Sequence, residues 1–189
     1  MTSGHAPTGL IADYAAGALS PGMSLLVASH LTTCPCCRDK AARLEALGGA
    51  LLCERAAVPP GPRCLERALA RIEAPVEVPP KAAAPAEARD PPLPRPLCRR
   101  LPPAAELDWE ELAPGLSACW LDGFSERIGL IRAGPGMRVA AEAALVLAGG
   151  MRDGALSYGA GDHDHAADAL EAAGDAPCLC LVMAPDVRR

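Results

Sequence analysis

The sequence predicts an α+β chain: a bundle of four helices, a proline-rich connector and then a small antiparallel β-sandwich or barrel. Three observations carry this expectation. Apolar residues recur at helical spacing as far as Ile72, and ten prolines fall within residues 75–103, where no hydrophobic periodicity survives. Beyond residue 104 the texture changes to short apolar runs broken by Gly and Asp. The divisions expected are therefore a helical part over 1–74, a linker over 75–103 and a β-domain over 104–189.

Leu10, Ile11, Tyr14, Ala15 and Ala18 give the first helix its stripe. Ser20 followed by Pro21 reads as an N-cap with proline at the first helical position, and the second helix runs from there to about His30. Pro35 signals a third helix carrying Leu44, Leu47 and Leu51, and Cys64, Leu65, Ala68, Leu69 and Ile72 give a fourth stripe. Gly61 and the prolines around it set that fourth helix apart, so its stripe either meets a partner or folds back on the first three helices. After the linker, strands are expected at Leu116 to Leu121, Arg127 to Ala133, Ala143 to Ala148, Leu156 to Tyr158 and Cys178 to Met183, punctuated by turn glycines.

Half of the 189 residues are hydrophobic, but 39 are Ala and only five are aromatic, so the cores are small. At about 25 cal/mol per Å² of buried apolar surface, a piece of some 70 such residues is marginal without a staple such as a metal. No apolar run approaches the roughly 20 residues of a membrane span. Met1 to Leu10 has neither a basic nor an apolar leader segment, so a cytosolic chain is expected. Nine cysteines in that compartment read as metal ligands, redox groups or small hydrophobes rather than disulfides. Residues 104–189 hold six Lys/Arg against fourteen Asp/Glu, which argues against nucleic acid as their partner.

The most specific motif is His30-x3-Cys34-Pro35-Cys36-Cys37. Pro35 disfavours the α conformation at Cys34, which places Cys34 at an N-cap and Cys37 one turn inside the helix, with both sulfurs facing one point. His30, at the end of the preceding helix, can bring an imidazole across the short turn, and tetrahedral zinc takes N and S ligands at about 2.0–2.3 Å. A fourth ligand is required, and His5 is the other histidine of the helical half. The plainer alternative makes the cysteines buried hydrophobes or a redox pair and His5 a tail residue. Cys36 points about 100° away from Cys37 on the helix and is a spectator.

His5, the stretch Tyr14-Ala15-Ala16-Gly17-Ala18-Leu19-Ser20 and His30-x3-Cys34-x2-Cys37 together resemble the zinc-binding anti-sigma domain. With the texture beyond the linker, the chain resembles the ChrR-type anti-sigma factors. The resemblance implies a zinc-bound helical bundle linked to a cupin-like antiparallel β-barrel, with one structural Zn2+ on His5, His30, Cys34 and Cys37. It also implies the function: an extracytoplasmic-function sigma factor held off RNA polymerase and released on an oxidative stress signal. Leu65, Ala68, Leu69 and Ile72 are the candidate partner-binding anchors, since helix-in-groove binding uses this spacing.

Cupin metal sites take two histidines two apart, a glutamate four residues later and a last histidine on a neighbouring strand. Here Glu142 fits the glutamate, but Gly136 and Arg138 stand at the histidine positions, and Leu170 to Pro177 contains no histidine. His163 and His165 share one side of a strand and would rebuild a site with Glu142 if they faced it; otherwise they belong to a solvated turn or strand edge. Cys178 and Cys180 also share a side, as core residues or as a redox pair. Trp109 and Trp120 are expected in the core or at a domain interface. Two functional classes follow: a regulator that sequesters a sigma factor, or a metal-dependent cupin enzyme, such as a small dioxygenase, with a helical appendage. The absent histidines favour the regulator.

Overall fold

The computed structural model describes residues 4–73, 92–102, 106–165 and 169–185. The first helix, α1 (Thr8–Ala15), is stopped by Gly17, whose φ of +68° is open to glycine at little cost. Gly17 N–H donates to Tyr14 O at 3.0 Å and Ala18 N–H to Asp13 O at 2.8 Å, the paired bonds of a Schellman stop. Ala18, expected on the helix stripe, therefore lies beyond the helix end. Two residues later the Ser20 hydroxyl accepts the N–H of Met23 and Pro21 opens α2 (Pro21–Thr33). The Tyr14 to Ser20 stretch is thus a stop followed by a start, and it folds α2 back beside α1.

α2 is the central element: Met23, Leu25, Leu26, Val27, Ser29 and His30 are all buried, on more than one face. α3 (Pro35–Cys53) buries only Cys37 and Ala41, with Leu44 partly covered, while Leu47 and Leu51 stand 58% exposed. Its C-terminal half thus projects from the body. α4 (Cys64–Glu73) buries no residue. Leu65 and Ile72 are more than 70% exposed, so the stripe does not fold back on the other helices.

Of the expected linker, residues 75–91 and 103 lie outside the described residues. The remainder, expected to be extended, contains the one-turn α5 (Arg95–Cys98). Pro96 is tolerated there because a first-turn N–H has no intrahelical partner anyway. Leu97 is fully buried against α2, which pins the chain at this point.

Among the described residues, ten strands follow in two antiparallel sheets. The six-stranded sheet runs β1 (Glu110–Ala113), β2 (Leu116–Trp120), β3 (Ile128–Ala133), β10 (Cys178–Met183), β5 (Ala143–Ala148), β8 (His163–His165). The four-stranded sheet runs β4 (Arg138–Val139), β9 (Leu170–Ala173), β6 (Gly150–Asp153), β7 (Leu156–Gly159). Ile131, Val146, Cys178, Cys180 and Val182 point inward and pack against Met151, Leu170 and Ala172 of the smaller sheet.

The opposite face of the six-stranded sheet is also dry. Ile128, Leu130, Leu145 and Leu181 share one core with Ile11, Leu26 and Leu97. This two-sided burial accounts for the runs AALVLA and CLCLVM, which lack the apolar/polar alternation of a half-exposed strand. The helices thus borrow the apolar surface that their own small residues do not supply, each fully buried Leu contributing about 1.5–3 kcal/mol. No helix among the described residues is long and apolar enough to cross a membrane.

Candidate metal centre

The turn between α2 and α3 is built by side chains that take up the last carbonyls of α2. Thr33 Oγ1 donates to His30 O at 2.9 Å, Thr32 Oγ1 to Ser29 O at 2.7 Å, and Arg38 Nη1 to Leu31 O at 2.7 Å. Cys34 caps α3, its sulfur accepting the N–H of Cys37 at 3.5 Å. His5 lies just ahead of α1 and reaches over this cap: its Nδ1 is 3.2 Å from Cys34 Sγ and 3.7 Å from Cys37 Sγ.

His5, His30, Cys34 and Cys37 present ligand atoms that all lie within 4.8 Å of one another, a His2Cys2 set able to hold a metal ion. Cys36 is exposed and outside the set. The His30 ring is buried and its Nδ1 is 2.9 Å from Gly161 O. A carbonyl only accepts, so Nδ1 carries the proton and Nε2 holds the free lone pair. That Nε2 is buried with no hydrogen-bond partner, which in a dry interior is costly unless something binds there. Burial lowers the His30 pKa and favours the neutral, metal-binding imidazole, with the bond to Gly161 working the other way. Burial, reinforced by the Cys34 sulfur, pushes the Cys37 thiol up to about 11, so metal binding must displace its proton.

The barrel residues are placed differently. Gly136 lies in a turn, its N–H bonded to Ala172 O, and Arg138 is an exposed residue of β4 paired with Glu171. Glu142 is exposed, just ahead of β5. In register, His163 opposes Leu145 and His165 opposes Ala143, both on the outer face of the sheet, whereas Glu142 sits at an exposed bend outside β5. Among the described residues, the two histidines and Glu142 do not bring their ligand atoms together as a metal-holding group.

The solvated turn offered as the alternative is also corrected for one histidine. His163 is only 2% exposed, its ring edge-on to His30 with centroids 5.7 Å apart and stacked 6.2 Å from His165. The α2 end and the N-terminal segment cover β8, and this long-range contact has no signature in the Gly-Asp-His-Asp-His string. Burial lowers the His163 pKa to about 3, keeping the ring neutral.

Cys178 and Cys180 point together into the barrel core, sulfurs 3.3 Å apart. Trp109 packs at the edge of the helix-side core under Arg132, and Trp120 at the edge of the inner core under Arg127. What residue-by-residue reading of the sequence missed is backbone: Gly161 O against His30, and Gly4 against Asp162 and His163.

No family model matches the chain. Anti-sigma-E factor ChrR of Cereibacter sphaeroides is 34% identical over 192 residues, covering 94% of this chain and 87% of its own. A chain of the crystal structure of Rhodobacter sphaeroides SigE in complex with the anti-sigma ChrR superimposes with a TM-score of 0.76 at 31% identity, covering 96% of this chain and 98% of that one. A cupin-superfamily sugar phosphate isomerase from Silicibacter pomeroyi aligns over 41% of this chain and 70% of its own with a TM-score of 0.34 and 18% identity, too slight a likeness to argue from. With identity above 30% across nearly the whole of both chains, the chain belongs to the ChrR family of anti-sigma factors, regulators that act by binding rather than by catalysis.

Proposed function

We propose that this chain sequesters an extracytoplasmic-function sigma factor in the cytoplasm, covers its polymerase-binding surfaces, and releases it on a stress signal of oxidative type. The observation that carries the reading is α4. Its Leu65, Ala68, Leu69 and Ile72 follow one another at i, i+3, i+4 and i+7 on a helix that buries nothing within its own chain, in a protein whose relative ChrR is solved with SigE. An amphipathic helix with such anchors is suited to a hydrophobic groove on a protein partner. Residues 1–74 carry this contact, and 104–189 form the domain through which a signal enters.

His5, His30, Cys34 and Cys37 are the ligands of one structural zinc. The donor set is two imidazoles and two thiols, and the orphaned Nε2 of His30 fits a ligand role. When bound, zinc supplies a tetrahedral staple between the N-terminal segment, the end of α2 and the start of α3. The residues do the remaining work: Cys34 and Pro35 turn the chain, Thr32, Thr33 and Arg38 hold the turn, and Ala6, 2% exposed, seats the segment that carries His5.

Co-expression of the full chain with individual extracytoplasmic-function sigma factors, followed by size-exclusion chromatography and metal analysis, tests the reading. A one-to-one complex containing one zinc per anti-sigma chain is expected. Failure of every such sigma factor to co-elute with the zinc-loaded chain contradicts it.

A further inference from the structure

Three consecutive residues of the turn into β8 touch both segments that carry the imidazoles of the candidate centre. The Gly161 carbonyl accepts Nδ1–H of His30 at 2.9 Å. Asp162 Oδ1 accepts the N–H of Gly4 at 3.1 Å, while its Oδ2 accepts the N–H of Gly159 at 2.8 Å, so its own turn holds the carboxylate in place. The His163 N–H donates to Gly4 O at 2.7 Å. Gly4, next to His5, is thereby held on both its polar groups. The approach is too close for a side chain: a Cβ at Gly4 would lie 2.8 Å from Asp162 Cβ and 2.9 Å from His163 O. The His163 ring, buried edge-on against His30, closes the wall behind.

We propose that the Gly161–His163 turn of the barrel positions the metal centre of the helices, fixing which nitrogen His30 offers and how far His5 reaches, so that metal affinity depends on the barrel. This rests on the reading of the four residues as zinc ligands. An imidazole that donates its far N–H to a carbonyl is held in one tautomer and one orientation and is a better base at the other nitrogen. Loss of such outer partners lowers metal affinity about 10–100-fold in metal sites generally. His5 is exposed, between the Gly4 clamp and the buried Ala6, so loss of the clamp frees one of the two ends that seat it. A change in the barrel that moves this turn then loosens two of the four ligands together.

The test is zinc affinity of the full-length chain by chelator competition, with the absorption spectrum of the Co2+-substituted protein as a second readout. The variants are Asp162→Ala, Gly4→Ala and both together. Gly4→Ala lies outside the barrel strands and keeps the experiment decisive if Asp162→Ala impairs barrel folding. Each single variant is expected to raise the zinc dissociation constant about 10–100-fold. The Co2+ spectrum should shift toward that of His5→Ala, and the double variant should be no weaker than the weaker single, because both release one clamp. Affinities of both single variants within about twofold of the unmodified chain overturn the inference alone, as do effects that multiply in the double variant. An unmodified chain that binds no stoichiometric zinc overturns the ligand reading and this inference with it.

Discussion

The sulfur of Cys34 accepts the amide of Cys37 at 3.5 Å while standing 3.2 Å from His5 Nδ1, so one atom both caps α3 and belongs to the His2Cys2 set. Serine is also a good N-cap, and Cys34→Ser therefore separates the two roles. The variant should keep α3 and lose the metal. Cys34→Ser with Cys37→Ser is expected to fall from about one zinc per chain to near none on elemental analysis, since a structural tetrahedral site needs its four ligands. Retention of one equivalent by the double variant counts against the ligand assignment.

Leu65→Asp with Leu69→Asp alters a helix that buries nothing, so thermal stability should move by no more than about 0.5 kcal/mol and zinc content not at all. Inhibition of sigma-dependent transcription by the full chain should nonetheless be lost. Undiminished inhibition by this variant would remove α4 from the contact surface.

The helices and the barrel share Leu97, fully buried against α2. Leu97→Ala leaves a cavity in this common core and should cost about 2–5 kcal/mol in denaturant unfolding of the full chain. A cost like that of a surface substitution would mean that α5 is not docked in solution.

Inside the barrel, the Tyr158 hydroxyl donates to Asp164 Oδ1 at 2.9 Å, and burial, then this bond, raises the phenol pKa to about 12. The unfolded phenol ionises near pH 10, so the stabilisation is complete below that and is lost as the pH rises toward 12. Absorbance titration of Tyr14→Phe, which leaves Tyr158 as the sole tyrosine, should show ionisation near pH 12. Tyr158→Phe should cost about 1–2 kcal/mol at neutral pH by leaving the Asp164 oxygen unpaired. Ionisation near pH 10 would show that the phenol is not held.

Local chemistry made much of this fold legible. Ser20-Pro21 and Cys34-Pro35 announce two helix starts that the structure contains, and the unbroken apolar runs of β5 and β10 announce two of its strands. β6 and β9 were not legible because each is four residues long and rich in Gly, Asp or Ala, so their pairing comes from the neighbouring strands. α5 was hidden because prolines that read as linker are admissible in a first helical turn. Within the candidate centre, the four side chains were readable from spacing and resemblance. Their outer partners were not, because Gly161 and Gly4 contribute only backbone across more than 130 residues of sequence separation.

Sigma-factor sequestration is read out by run-off transcription from a promoter dependent on the cognate extracytoplasmic-function sigma factor, with purified polymerase and the zinc-loaded full chain. Transcript should fall in proportion to added chain and vanish near one equivalent per sigma factor, with transcription by the housekeeping sigma factor untouched. Undiminished transcript at excess zinc-loaded chain, with each such sigma factor of the same genome tried in turn, would contradict the account.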